Sequence, residues 1–272
     1  MKLAVSQVCS LEASFEKDIE DYAAGGCKVI ELWVGKLDTY LERHSEADLL
    51  RLLDEHQVTA PVAGFQGGLL SSQGEFRKQH WDAFARRLAQ CRSLGIGTLV
   101  LAGDVVGPLE QQDLERIQLS LSQAAQLAGE HGVRLALEFQ ARSAFINNLQ
   151  SAAAVVAEIG SPHLGICFDA FHYYVGPSKS EDVAYLSAEN LFHVQLCDLT
   201  GVAREFAADA DRVLPGDGDI ELSQVAARLR EIGYAGCVSV ELMNPQIWRI
   251  PPRQVGEIAL AALAKVVGPG RG

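Results

Sequence analysis

The sequence predicts a single-domain α/β protein, a (β/α)8 TIM barrel, on three observations. Eight short apolar runs recur along the chain, with stretches of helical periodicity between them. The length of 272 residues suits one such barrel, a fold of typically about 250 residues. No glycine-rich phosphate turn follows Val8 or Val34, where the rival doubly wound sheet requires one after an early strand.

In chain order the strand-like runs are Lys2–Val8, Val29–Val34, Thr59–Phe65, Thr98–Gly103, Arg134–Phe139, Leu164–Asp169, Leu191–Leu196 and Cys237–Leu242. Between them, Phe76, His80, Phe84, Leu88 and Cys91 share one helical face, as do Leu114, Ile117, Leu121, Ala124 and Ala125. Ser45 with Asp48 forms a capping box before LLRLLDEH. Gly95, Gly132, Gly160 and Gly233 each stand just past a helical pattern, where a left-handed cap falls. No break in composition divides the chain, so residues 1–267 form one domain and Gly268–Gly272 (GPGRG) a flexible tail. The longest connection, Leu199 to Ile220, follows the seventh strand, and in a barrel it lies over the C-terminal face.

Composition narrows the function. At 48% apolar and 21% charged residues the chain is an ordinary globular protein. A formal charge of −12 argues against nucleic acid or anionic lipid as partner and leaves a small neutral substrate open. No apolar run approaches the roughly 18 residues of a membrane span. The start, MKLAVSQVCSLEASFEK, is a poor signal peptide and a good first strand. Six cysteines without CxxC spacing read as small apolar residues in a reducing compartment, so the expected location is cytoplasmic.

Alternation along the strands decides which side chains face into the barrel. Leu135, Leu137 and Phe139 face the helices, which leaves Glu138 inward. Ile166 and Phe168 likewise leave Asp169 inward. Val194 and Leu196 turn His193 and Gln195 inward, and Val238, Val240 and Leu242 do the same for Glu241. Three carboxylates and a carboxamide from the last four strands thus converge at the end where barrel enzymes hold their sites. Burying three carboxylates without a cation costs several kcal/mol each or forces protonation. A divalent metal resolves the conflict. Oxygen ligands favour Mg²⁺ or Mn²⁺, with Co²⁺ admissible, since zinc sites more often include His or Cys. The plain alternative puts these acids on exposed loops or pairs them with Arg142 and Arg204.

From ALEF through FDAFHYYVG, LFHVQLCD and RVLPGDGDI to SVEL, the chain resembles the xylose-isomerase-like barrel superfamily. That group holds sugar isomerases and epimerases, inosose and 3-dehydroshikimate dehydratases, and an endonuclease IV branch. The resemblance covers nearly the whole chain and rests on the order and strand placement of these motifs. It implies metal-binding Glu138, Asp169 and Glu241, a substrate-binding His172 past the end of the sixth strand, and a substrate-gripping base beyond strand seven at Arg204. Many members carry a metal-binding His where this chain has Gln195, in His193-Val194-Gln195-Leu196-Cys197-Asp198. Some relatives, dehydratases among them, use Gln there, so the resemblance implies Gln195 as the fourth metal ligand. Relatives are commonly dimers or tetramers, so a homo-oligomer is compatible, although no exposed stripe marks an interface.

The resulting expectation is a divalent-metal-dependent isomerase or epimerase of a ketose or keto-polyol, acting through a metal-stabilised enediolate with Glu138 and Glu241 as acid–base pair. The alternative is a dehydratase of the inosose or 3-dehydroshikimate type using the same site, with Arg204 or Arg249 meeting an acidic substrate. The endonuclease branch needs many histidines, and this chain has seven. A non-enzymatic sugar-binding module does not explain the inward acids. Glu31 also faces inward, as a candidate contact to a substrate ring. His193, one layer below Gln195, suits packing as well as direct contact. Gln66-Gly67-Gly68 lets backbone approach a ligand, Asp217-Gly218-Asp219 shapes the long loop, and Trp33 and Phe65 can wall a sugar pocket.

Overall fold

A computed structural model describes residues 1–270; residues 271 and 272 lie outside that description. The strands in chain order are β1 (Lys2–Ser6), β2 (Val29–Trp33), β3 (Thr59–Gln66), β4 (Thr98–Ala102), β5 (Arg134–Glu138), β6 (Leu164–Asp169), β7 (Leu191–Leu196), β8 (Asp198–Leu199), β9 (Arg212–Val213) and β10 (Cys237–Val240). The helices are α1 (Phe15–Ala24), α2 (Val34–Leu41), α3 (Glu46–Glu55), α4 (Gly74–Ser93), α5 (Gln111–Glu130), α6 (Leu149–Ile159), α7 (Ala170–Val175), α8 (Leu222–Glu231) and α9 (Pro252–Val267). Strands β1 to β7 and β10 close into a parallel barrel in the order β1-β10-β7-β6-β5-β4-β3-β2, which is the expected (β/α)8 architecture.

Alternation sets the two sides of this sheet. Leu135, Leu137, Ile166, Phe168, Val194, Leu196, Val238 and Val240 join the large core between barrel and helices. Val62, Val100, Ala136, Cys167, Phe192 and Cys237 form a separate, smaller cluster that plugs the barrel below the acids. All six cysteines are buried and unpaired.

Several expected boundaries shift. Strand β1 ends at Ser6 because Gln7–Ser10 wind into a 3₁₀ turn, and the Gln7 Oε1 accepts the Trp33 N–H at 3.0 Å. Strand β2 ends at Trp33 because α2 starts at the next residue. Glu241 and Leu242 fall outside strand β10, although the Glu241 N–H still donates to the Leu196 carbonyl. On α4, Phe84, Leu88 and Cys91 are buried as expected, but Phe76 is 71% exposed. Each step of four residues overshoots a helical turn by about 40°, so the row drifts off the buried face at its N-terminal end. The Ser45–Asp48 capping box is present, and Gly95, Gly132, Gly160 and Gly233 all take positive φ.

The long connection is not structureless. Strands β8 and β9 pair antiparallel, Asp198 with Val213 and Leu199 with Arg212. Helix α9 stops at Val267, followed by Gly268 at φ 90°, and the last two residues of the expected tail lie outside the described residues. Among the described residues no helix is long and apolar enough to cross a membrane.

Candidate active site

Glu138 and Asp169 are the last residues of β5 and β6, and Glu241 follows β10 directly. The register pairs Asp169 with Gln195 on β7, and Gln195 with Ser239 on β10. This brings Glu138, Asp169, Gln195 and Glu241 together at the C-terminal mouth, all buried. Asp169 is also the N-cap of α7, where its Oδ1 accepts the His172 N–H at 2.9 Å. His172 therefore sits in a short helix rather than a loop, with Nε2 3.9 Å from the Glu138 Oε1. Its Nδ1 accepts the Ala141 N–H. Ligand atoms of Glu138, Asp169 and His172 lie within 4.8 Å of one another.

At the centre stands a residue that strand alternation does not reveal. Arg212, on β9 of the long connection, is 1% exposed. Its Nη1 donates to the Asp169 Oδ2 at 2.8 Å and the Glu241 Oε2 at 2.9 Å. Its Nε and Nη2 clamp Asp209, and its guanidinium lies 4.5 Å from the centre of the Phe171 ring. The loop that delivers it is organised by Asp198, whose carboxylate accepts the N–H groups of Leu199, Gly216 and Ile220. Gly218 is required beside it, since a Cβ there would stand 2.4 Å from the Asp198 Oδ1.

The basic side chain beyond strand seven that meets the acids is Arg212, whereas Arg204 stands elsewhere. Arg204 donates to the Gly176 carbonyl at 2.7 Å and lies over the Tyr174 ring, away from the acids. Arg142, the other suggested partner, donates to the Ala207 carbonyl. A signal for Arg212 exists in the sequence: it stands in the apolar run Val213-Leu214-Pro215 after Asp211, whereas Arg204 lies between Ala203 and Glu205.

Beneath the cluster is a polar layer. Gln195 Nε2 donates to both Glu31 Oε1 and Glu241 Oε1 at 2.8 Å, and its Oε1 accepts from the Cys167 thiol at 3.0 Å. The Glu31 Oε2 pairs with His193 Nε2 at 2.9 Å, and the His193 Nδ1 has no partner. Glu31 thus lies under the acids, 1% exposed, and the cavity above them is walled by other residues.

Electrostatics separates the acids. Burial pushes Glu138 and Glu241 well above the usual carboxylate range; neighbouring charges, Asp169 among them, add to this and Arg212 opposes it. Burial acts the same way on Asp169, but the Arg212 guanidinium, the His172 ring and hydrogen bonds hold it down at about 2. Burial lowers His172, with the Asp169 charge opposing. Gln140 Nε2 donates to the Glu138 Oε2 at 2.6 Å, another contact beyond the reach of strand alternation.

Above the acids lies a cavity of about 200 Å³ walled by Glu138, His172, Arg212 and Glu241, with Trp33 and Phe65 closing one side. The two aromatic rings are stacked with centroids 5.9 Å apart, a flat apolar face beside a polar floor.

A closed parallel barrel with buried acids gathered at the C-terminal ends of its strands defines the class of (β/α)8 enzymes. More narrowly, the chain belongs to the xylose isomerase-like TIM barrel family, whose model matches residues 19–265. It is 26% identical to an inosose isomerase of Bacillus velezensis over 98% of this chain and 97% of the relative. It is 24% identical to a 3-dehydroshikimate dehydratase of Pseudomonas putida, over 93% of this chain and 40% of that longer protein. Among solved structures, the IolI protein with a bound zinc atom superimposes with a TM-score of 0.91 at 24% identity, covering 98% of each chain.

Proposed function

We propose that the protein is a divalent-metal-dependent isomerase or epimerase of a ketose or keto-polyol. The observation that carries this reading is a surplus of buried negative charge. Glu31, Glu138, Asp169 and Glu241 are four buried carboxyl groups, of which the Arg212 guanidinium meets only Asp169 and Glu241, and burial pushes Glu138 and Glu241 toward the neutral form. That donor set fits a hard divalent cation. Glu138, Asp169 and Glu241 would hold it, with the Gln195 carboxamide as the neutral neighbour, and Mg²⁺ or Mn²⁺ suits the oxygen donors, with Co²⁺ admissible. When bound, such an ion supplies Lewis acidity to a substrate carbonyl. The names of the relatives, an inosose isomerase and the zinc-containing IolI protein, support the same class.

The side chains divide the rest of the work. Trp33 and Phe65 seat one face of a sugar ring and exclude water. Glu138 has one oxygen held by Gln140 and leaves Oε1 for chemistry. Once ionised, that oxygen takes the proton from the carbon beside the carbonyl, and the C–H electron pair shifts toward the carbonyl oxygen. Glu241, separated from Glu138 by strands β6 and β7, delivers a proton to the opposite face. Return to the same carbon gives an epimer, and return to the former carbonyl carbon gives an isomer. His172, beside Glu138 and kept neutral by burial, orients a substrate hydroxyl.

A second reading, a dehydratase, is favoured by Gln195 and by the 3-dehydroshikimate dehydratase relative. There the same proton abstraction expels a β-hydroxyl as water. Proton NMR in D₂O separates the two, using Mg²⁺-loaded enzyme with ketoses, inososes and 3-dehydroshikimate. Deuterium beside the carbonyl with a new isomer supports the first reading, and an enone or aromatic product supports the second. Glu138→Gln and Glu241→Gln are each expected to lose about 10²–10⁴-fold in rate while remaining folded. Near-normal turnover in either removes that residue from the acid–base pair.

A further inference from the structure

The cavity over the acids is not isolated. A second cavity of about 300 Å³ adjoins it, and Gln140, His172 and Asp209 border both. We propose that this second lobe receives a ring joined to the reacting sugar, so that the substrate is a two-ring keto-glycoside, whose reacting ring carries its carbonyl away from the linkage, rather than a free ketose. The inference rests on the isomerase reading of the acid cluster and names the substrate class of the same site.

Size and lining carry the argument. The reacting lobe, at about 200 Å³, has its own floor of acids and its own aromatic wall, a seat for one polyol ring. Sites for small molecules usually measure about 300–1,000 Å³, and only the two lobes together reach well into that range. The second lobe has a different character. Val105 and Phe171 give it a buried apolar wall, and Val106, 74% exposed, leaves apolar surface in water at its edge. A bound ring would cover that surface.

Three polar side chains border the second lobe and not the first; the Ser143 hydroxyl is engaged by the Gly103 and Val105 carbonyls, which leaves Asp104 and Arg142. Asp104 accepts the Gly68 N–H with Oδ2 at 2.7 Å, and its Oδ1 is buried without a partner. Arg142 donates through Nη2 to the Ala207 carbonyl, and among the described residues no carboxylate lies within ion-pair distance of it. Its remaining N–H groups and planar face are open to a ring and its oxygens. Asp104 and Asp209 border the same lobe beyond ion-pair distance of Arg142, and these acidic neighbours weigh against an anionic ring. A neutral ring carrying hydroxyls, either a phenol-type aromatic or a second sugar, matches this lining.

Calorimetric titration of the Mg²⁺-loaded enzyme tests the proposal with phenyl β-D-glucopyranoside, cellobiose, D-glucose and myo-inositol. One of the two-ring probes is expected to bind about tenfold tighter than glucose, and which one does so tells an aromatic from a sugar ring. Val106→Trp and Ala208→Trp, which fill the second lobe from opposite loops, are each expected to cut that ratio to about threefold or less. A ratio near one in the wild type, or one undiminished in both variants, overturns the inference. If free ketoses still exchange deuterium in that case, the isomerase reading survives alone. A tenfold ratio with no exchange on any ketose or inosose overturns the isomerase reading and leaves the two-ring site standing. Failure of every probe to bind overturns the two-ring inference.

Discussion

Arg212 Nη1 lies 2.8 Å from the Oδ2 of Asp169, a contact between residues 43 positions apart, and the same nitrogen touches Glu241 at 2.9 Å. One guanidinium nitrogen therefore bridges the ends of β6 and β10. Because a charge-assisted bond of this kind is buried, removing either partner leaves an uncompensated charge.

Arg212→Met is expected to lower the melting temperature of the metal-free protein, on the scale of about 3–5 kcal/mol for a broken buried pair. Added Mn²⁺ should restore much of the loss, because a second cation then meets Asp169 and Glu241. Thermal melts with and without Mn²⁺ read this directly. An unchanged melt in the absence of metal would show that Arg212 does not balance the acids.

Metal loading should depend on pH. Burial, with neighbouring charges adding to it, raises Glu138 and Glu241, so the folded metal-free protein holds protons that the unfolded chain releases near 4.5. Its stability accordingly declines as pH rises above 4.5 toward those raised values. A divalent ion must displace the same protons, so its apparent affinity increases with pH. Calorimetry in buffers of different ionisation enthalpy should detect proton release on Mg²⁺ binding, shrinking as pH rises.

Away from the acids, Lys36 Nζ meets the Asp18 Oδ2 at 2.6 Å and the Ser10 carbonyl at 2.7 Å. Burial raises Asp18 to about 7 even with Lys36 opposing. Lys36→Met should destabilise the fold at pH 8, where Asp18, without the cation that opposes burial, must take up a proton that the unfolded chain has released. The loss should be smaller at pH 5, where Asp18 is neutral. Asp18→Asn with Lys36→Met should recover much of it, as denaturant titrations of the three variants at both pH values would reveal.

Asp198 acts on the site through the loop it holds. Asp198→Ala removes three charge-assisted bonds to backbone N–H groups, each worth about 1.5–3 kcal/mol. Hydrogen exchange between residues 199 and 220 should rise, and kcat should fall as Arg212 loses its seat. Faster exchange with unchanged kcat would detach the loop from the chemistry.

The acids were legible because a strand's period of two leaves no freedom. Once Leu137, Phe168 and Val240 face the helices, Glu138, Asp169 and Glu241 must face inward. The same logic cannot see Arg212, Gln140 or Asp209, whose positions depend on how loops close. Arg204 lies nearer to strand seven than Arg212 does, but nearness in sequence does not decide which loop residue turns inward. Here the β8–β9 pairing does, by placing Arg212 opposite Leu199. Phe76 misled for another reason: a row of residues four apart is a helix face only over a few turns.

The long connection contributes Arg212 to the acids and Ala208 and Asp209 to the adjoining lobe, within five consecutive residues. On the proposed reading, reactivity and substrate choice share one short piece of chain. Exchanging this segment with that of another barrel to redirect specificity would alter the balancing charge at the same stroke. Retuning that keeps the chemistry would have to begin on the opposite wall, at Val105 and Val106.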